Sequence, residues 1–345
     1  MKGIHRVSPF AARLRAKLRG NRGIYDGKAV EIAPGVLREQ AAATCLPGEF
    51  DRVISIADGT TREIELARLG PAMGRHGPTM AYPLERAVVS DGCVYFSGGY
   101  QVFRPGKAAI VRPKMTQHAE AMLCTNPVVE KYFGHWVQDG LLQELAAEQR
   151  GLPALTTSRI QWLHEPSFRD VMGLWAKPVD HAEVERLWVL NDMGLNDYWV
   201  ARFDELRRRM RTAAGPHGPK RVVVRRGVLG ASRALVNEQE IEGVLQKMGF
   251  ESLAPELESA HSIATKLAHA EIAILVEGSA IHHCLLAMPR GSTIVVIQPP
   301  RRFNAITNTY ASPVGIRWAY AVADDAPEGF RMPPDRLQRL LDLIA

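Results

Sequence analysis

Residues 271–298 read "EIAILVEGSAIHHCLLAMPRGSTIVVIQ", and this run sets the fold class. "EIAILV" is a short apolar run that reads as a buried strand. "SAIHHCLLAM" reads as a short helix, "PRG" ends it, and "STIVVIQ" is a second buried strand. Between the first strand and the helix stand Glu277, Gly278 and Ser279, with His282 and His283 one turn on. Working outward toward the N-terminus, the same rhythm continues. "RVVVRR" (221–226) is a strand, "NEQEIEGVLQKMGF" (237–250) a helix from an Asn cap to Gly249, "ESLAPE" (251–256) a strand, and "SAHSIATKLAHA" (259–270) a helix with a Ser cap. Strands alternating with helices at this spacing predict βαβ units and a parallel sheet. The C-terminal half is therefore expected to be a Rossmann-like α/β domain. Ligands of such sheets bind outside the carboxyl ends of the strands, which is where the 277–284 corner falls.

Upstream, "AAGPHGPK" (213–220) packs glycines and prolines between a helix and a strand and is the expected linker. This divides the chain into a basic tail at 1–25, an N-terminal α/β domain at 26–214 and a C-terminal domain at 215–345. The amphipathic last helix, "PPDRLQRLLDLIA", is a candidate to pack back on the N-terminal domain. In the N-terminal part, "RAVVSDGCVYFSGGYQVF" (86–103) signals strands and turns. In 128–149, Phe133, Trp136, Val137, Leu141, Leu142 and Leu145 recur at helical spacing. "RIQWLHE" (159–165) and "VERLWVLND" (184–192) read as short buried strands, and "RFDELRRRMR" (202–211) as an exposed basic helix.

Composition limits the function classes. With 46% hydrophobic and 23% charged residues the chain is an ordinary globular protein. The four cysteines are scattered without a C-x-x-C pair, which points to neither a zinc site nor a disulfide framework and fits a reducing, cytoplasmic compartment. The net charge is +6, but residues 1–22 hold seven Lys or Arg and no acid, so the rest is close to neutral. A general nucleic-acid-binding surface is not expected. Residues 1–22 read either as a solvated tail or as a basic helix for peripheral contact with an anionic membrane face.

Three constellations carry chemistry. At the corner, the N–H groups of Gly278, Ser279 and Ala280 would open a helix and suit a phosphate, with His282 or His283 adding a donor; the alternative is a plain Ser279 cap. A serine nucleophile at Ser279 lacks the G-x-S-x-G elbow. His135 and Asp139 stand at i and i+4 on one helix face, an arrangement for a general base, although such pairs are commonly surface chemistry. Trp136 beside them is core or a sugar platform. Arg225, Arg226 and Arg233 near a strand end suit a diphosphate, or a solvated loop, while Asn237 with Glu240 fits a capping box. No metal-ligand spacing is present, so no metal cofactor is expected.

Taken in order, "KYFGHWVQDGLLQEL", "RVVVRR…SRALVNEQE", "GFESLAPE" and the "EGSAIHHC…PRGSTIVVI" corner resemble glycosyltransferase family sixty-one, whose bacterial members act in capsular polysaccharide biosynthesis. His135, Trp136 and Asp139 match its helix motif; Arg225, Arg233, Asn237 and Glu238 its Arg/Asn-Glu stretch; Gly249, Phe250, Pro255 and Glu256 the next; Gly278 and Ser279 its corner. The resemblance implies a GT-B-like α/β fold of two Rossmann-like domains, the C-terminal one the clearer parallel sheet. It implies inverting transfer from a nucleotide-diphosphate sugar, a UDP-sugar being the expected donor, to a glycan acceptor hydroxyl, in capsule, exopolysaccharide or lipopolysaccharide synthesis. His135, Asp139 and Glu277 are then the candidate bases. The family's corner His is Glu277 here and its Asn is His283, which leaves a non-catalytic nucleotide- or glycan-binding protein as one alternative and a serine hydrolase at Ser279 as another.

Overall fold

The computed structural model describes residues 8–104, 114–157, 162–226 and 234–344. The chain forms two compact units. The first comprises Met1–Val36, His76–Trp162 and Gly173–Phe203, and the second Leu37–Arg75, Leu163–Met172 and Asp204–Ala345.

The second unit carries the expected parallel sheet. Its strands run in the spatial order Glu251–Leu253, Arg221–Val224, Ile272–Val276, Thr293–Gln298, Arg317–Val322, each pair parallel. In chain order that is 2-1-3-4-5, a doubly wound sheet whose order reverses between Arg221–Val224 and Ile272–Val276. The strands are short apolar runs because both faces are covered: Val276, Ile297 and Ala321 lie in one buried cluster with Leu245 of one helix and Leu337, Leu340 and Leu341 of the last, and Leu275, Val296 and Tyr320 of the opposite face are buried too. The last helix, Pro334–Ile344, therefore packs on the second unit's own sheet, a correction to its expected return to the N-terminal domain. Its leucine stripe matches the apolar sheet face beside it.

Residues 37–75 also belong to this unit, across the expected boundary between 214 and 215. Thr44 bridges to Ala319 in parallel, donating to the Trp318 carbonyl at 2.9 Å and accepting from the Tyr320 amide at 2.9 Å. Two buried carboxylates secure the segment. Glu49 accepts from the Val322 amide (2.7 Å) and Glu65 from the Ala305 amide (2.6 Å). Each satisfies a backbone donor at the edge of the sheet or the loop beyond it.

The first unit has a mixed eight-stranded sheet rather than a second all-parallel one. Strand Thr79–Ser90 pairs antiparallel with Val30–Ala33, Cys93–Phe96 and His181–Asn191. The hairpin at Asp91-Gly92 has positive φ at both residues (53° and 73°), the primed turn geometry that fits strand twist. His181–Asn191 then pairs in parallel with Thr116–Leu123, which continues to Ala154–Thr156 and Lys177–Pro178. The helical stretch 133–149 connects Thr116–Leu123 to Ala154–Thr156.

Local readings change in three places. Residues 158–161 lie outside the described residues; of the rest of the expected 159–165 strand, residues 162–164 form a bend and turn and Glu165 opens helix Glu165–Met172, where Pro166 suits a first turn. The helix expected to be exposed at 202–211 is part of Asp197–Thr212, in which Phe203, Leu206, Met210, Arg202 and Arg207 are all buried. The basic N-terminal segment is not a solvated tail throughout, because Pro9–Arg19 is a helix capped by Ser8 and buries Ala12 among Val88, Cys93 and Tyr95.

Candidate functional site

In the first unit the helical stretch begins with Phe133–His135, widens into a π-turn at Trp136–Gly140 and continues as Leu141–Gln149. Such single π-turns recur at functional sites. Here the turn carries Asp139 to His135: Nδ1 and the carboxylate are 2.7 Å apart. The histidine side chain is 30% exposed and the aspartate 9%, so the ring faces outward on a buried carboxylate. An Asp on Nδ1 fixes the tautomer that leaves Nε2 to accept a proton. Burial pushes the Asp139 carboxyl above the usual range, the His135 hydrogen bond pulls it down, and Asp192 raises it further.

Asp192 follows strand His181–Asn191 and anchors a buried network. Thr79 Oγ1 donates to one of its oxygens (2.6 Å) and Arg202 to the other (2.6 Å), while Arg202 also donates to the Leu142 carbonyl (3.0 Å). The network ties a strand end to the helix that bears the dyad. Exposed Tyr132 lies 6.0 Å from the His135 ring, and half-exposed Tyr25 senses the Asp139 charge. Trp136 is buried against Phe133 and Trp162, so it is core and not a sugar platform.

In the second unit, Arg225 and Glu277 follow the two strands that flank the reversal of strand order. Gly278 adopts φ of 151°, a conformation that favours glycine, and turns the chain from strand into the helix Ile281–Ala287. Gly278, Ser279 and Ala280 are partly exposed there. Glu277 accepts from Arg302 at 2.9 Å. Arg302 was missed in the sequence, although "PPRR" directly after strand Thr293–Gln298 signals cations at a neighbouring carboxyl end. Arg225, 43% exposed, pairs with Glu242 at 3.6 Å. Glu238 accepts from the Arg226 amide (2.8 Å). Arg233 itself lies outside the described residues.

Asn237 does not form the expected capping box. Its amide grips the backbone of Met332 in both directions, Nδ2 to the carbonyl (2.9 Å) and the Met332 amide to Oδ1 (3.0 Å), and it donates to Glu240 (3.0 Å). The two corner histidines are also placed differently from a ligand shell. His282 Nδ1 meets the Ser279 carbonyl at 3.1 Å rather than its hydroxyl, which is not the contact a serine nucleophile needs. His283 is buried between His164 and Phe168, each ring 5.4 Å away. Among the described residues no three His, Cys, Asp or Glu side chains converge to hold a metal ion.

Burial depresses the His283 imidazole well below its ordinary value of 6.5, and neighbouring His164 and His282 add to the effect. Burial likewise lowers His164. A depressed folded-state value contributes stability above the unfolded value, lost as pH falls through the folded one. Stability should therefore decline below pH about 6.5, at up to ~1.4 kcal/mol per pH unit for each histidine. His283→Asn should flatten that acid limb in urea titrations at pH 7 and 5; an unchanged slope refutes the assignment.

The first unit thus bears a carboxylate-held imidazole, and the second a doubly wound sheet with Arg225 and Glu277 beside its switch point. The family described as Glycosyltransferase 61 matches residues 133–295, from the His135 helix through the Glu277 corner. The match supports the resemblance drawn from the motifs, and with it a glycosyltransferase that uses a sugar donor and an acceptor. No curated protein matches the chain. No helix among the described residues is long and apolar enough to cross a membrane.

Proposed function

We propose that the protein is an inverting glycosyltransferase that moves a sugar from a nucleotide-diphosphate sugar, most simply a UDP-sugar, to a glycan hydroxyl in surface polysaccharide synthesis. A GT-B-like fold is part of this reading. The observation that carries it is the His135–Asp139 dyad, an outward imidazole on a buried carboxylate within the segment matched by the family. His135 Nε2 takes the proton of the acceptor hydroxyl as that oxygen bonds to the anomeric carbon. The bond from that carbon to the diphosphate breaks, and the nucleoside diphosphate departs with the electron pair. Asp139 stabilises the imidazolium that forms. This favours His135 over Asp139 as the base. Glu277, engaged by Arg302, is assigned to the donor side instead. Arg225, Arg233 and the Gly278–Ser279 turn would receive the diphosphate, whose growing charge fixed cations and amides stabilise.

Calorimetry with UDP and GDP tests the donor side. Arg225→Ala should weaken diphosphate binding ~10-fold, while Asp139→Asn leaves it unchanged. Equal losses, or none, overturn the assignment. The second reading, a binding protein without transfer, is favoured by Glu277, a carboxylate where a diphosphate would sit. Nucleotide sugars that bind with neither transfer nor hydrolysis across an acceptor panel would establish it.

A further inference from the structure

Helix Pro9–Arg19 is fixed to the first unit by one face. Ala12 is buried, and Arg13 donates to the Tyr95 hydroxyl (3.0 Å) with its guanidinium 5.6 Å from the Tyr95 ring and 5.7 Å from that of Tyr100. The opposite face is apolar and open to solvent: Phe10 is 75% exposed, Leu14 47% and Leu18 74%. These residues recur at i, i+4 and i+8, so they form one stripe along the helix. Exposed Arg15, Lys17 and Arg19 are interspersed along the same helix, and residues 1–22 contain no acid.

A cavity of about 650 Å³ opens beside the helix, lined among others by Arg15, Arg19, Arg22, Arg86 and Gly98. None of these four arginines is in an ion pair among the described residues. The one carboxylate at the rim, Glu85, is engaged by Arg186 at 2.9 Å. Arg86 has φ of 56° within a strand, where a non-glycine residue is uncommon. There Glu85 and Arg86 are both exposed in succession, breaking the strand's alternation.

We propose that this helix docks the protein on a membrane surface containing anionic phospholipid. Phe10, Leu14 and Leu18 enter the boundary between headgroups and acyl chains, and the arginine-lined cavity receives lipid phosphate. Apolar side chains alone would suit many partners. A stripe set among unopposed cations, next to a cavity with four arginines, matches a surface that is apolar beneath and uniformly negative above.

The test is co-sedimentation of the full chain with vesicles of phosphatidylcholine, alone or mixed with phosphatidylglycerol. Binding should require phosphatidylglycerol. Replacing Phe10, Leu14 and Leu18 together by Ser should weaken it ~100-fold, because three apolar side chains no longer leave water. Replacing Arg15, Arg19 and Arg22 together by Gln should weaken it to a similar extent, ~100-fold at about 1 kcal/mol per cation. All six positions are exposed or line the cavity, and a melting curve for each variant confirms that the fold persists. Failure to bind phosphatidylglycerol vesicles, equal binding to phosphatidylcholine alone, or binding that survives either triple substitution overturns the proposal.

Discussion

His135→Ala is expected to lower the rate of sugar transfer by ~10²–10⁴-fold, the span ordinarily supplied by a positioned general base. The protein should remain folded, because the side chain is partly exposed and its principal polar contact is Asp139. Asp139→Asn should also cost ~10²-fold or more, since the neutral amide can hold the ring but cannot stabilise its charged form. The double variant should be little worse than His135→Ala, because residues acting as a unit are not additive. Single-turnover rates at saturating donor distinguish chemistry from binding. If His135→Ala retains wild-type turnover, the imidazole is not the base.

The second large effect concerns stability. Arg207 is buried and points at the end of the corner helix, donating to the Leu285 carbonyl and to that of Met288 (2.6 Å). Arg211 completes the arrangement, donating to Ala287 (2.9 Å) and Ala268 (3.1 Å). Helix C-termini leave carbonyls without intrahelical donors and favour positive charge, so these two arginines satisfy both needs at once. Burial brings the Arg207 guanidinium down to about 10, still charged at neutral pH. Arg207→Ala should destabilise the protein by ~3 kcal/mol, because buried carbonyls lose their donor. The melting temperature should fall by roughly 5–10 °C. Arg207→Lys should recover only part of this, since one ammonium lacks the planar fork that serves two carbonyls. A loss within ~0.5 kcal/mol for the alanine variant would show that water replaces the guanidinium. Because Arg207 holds the far end of the helix that opens at Gly278, its loss should also weaken nucleotide binding in the surviving folded fraction.

This arginine pair shows where sequence patterns stop. "RFDELRRRMR" looks like a solvated helix because its cations are dense, yet Arg202, Arg207 and Arg211 serve backbone carbonyls of helices and helix ends 57–81 residues away in the chain. Nothing local in the run separates Arg207 and Arg211 from exposed Arg208, which pairs with Glu205 at 2.7 Å. Asn237 is a similar case. The Asn-x-x-Glu spacing predicts a capping box, but the amide is taken by Met332, 95 positions further on. Trp136 could be platform or core from its neighbours; only the packing of Phe133 and Trp162 against it decides. His282 and His283 read as donors at an open corner, whereas the brevity of the Ile281–Ala287 helix and its burial turn His283 inward.

Features that repeat or lie close along the chain are legible in the order of residues. These are the strand–helix alternation of residues 221–322, the glycine-bearing corner at a strand's carboxyl end, and the His135–Asp139 pair. Periodicity and i, i+4 geometry are properties of the backbone, so they can be read without knowing the fold. Tertiary structure alone decided the 2-1-3-4-5 strand order that puts Arg225 and Glu277 on either side of the switch point, and the Glu277–Arg302 ion pair. It also decided the transfer of residues 37–75 to the second unit and the separation of structural arginines from available ones. Those outcomes depend on which distant backbone groups are left without partners once the sheets have formed. A buried polar group must be satisfied by whatever the packed chain brings beside it, and no local pattern records that choice.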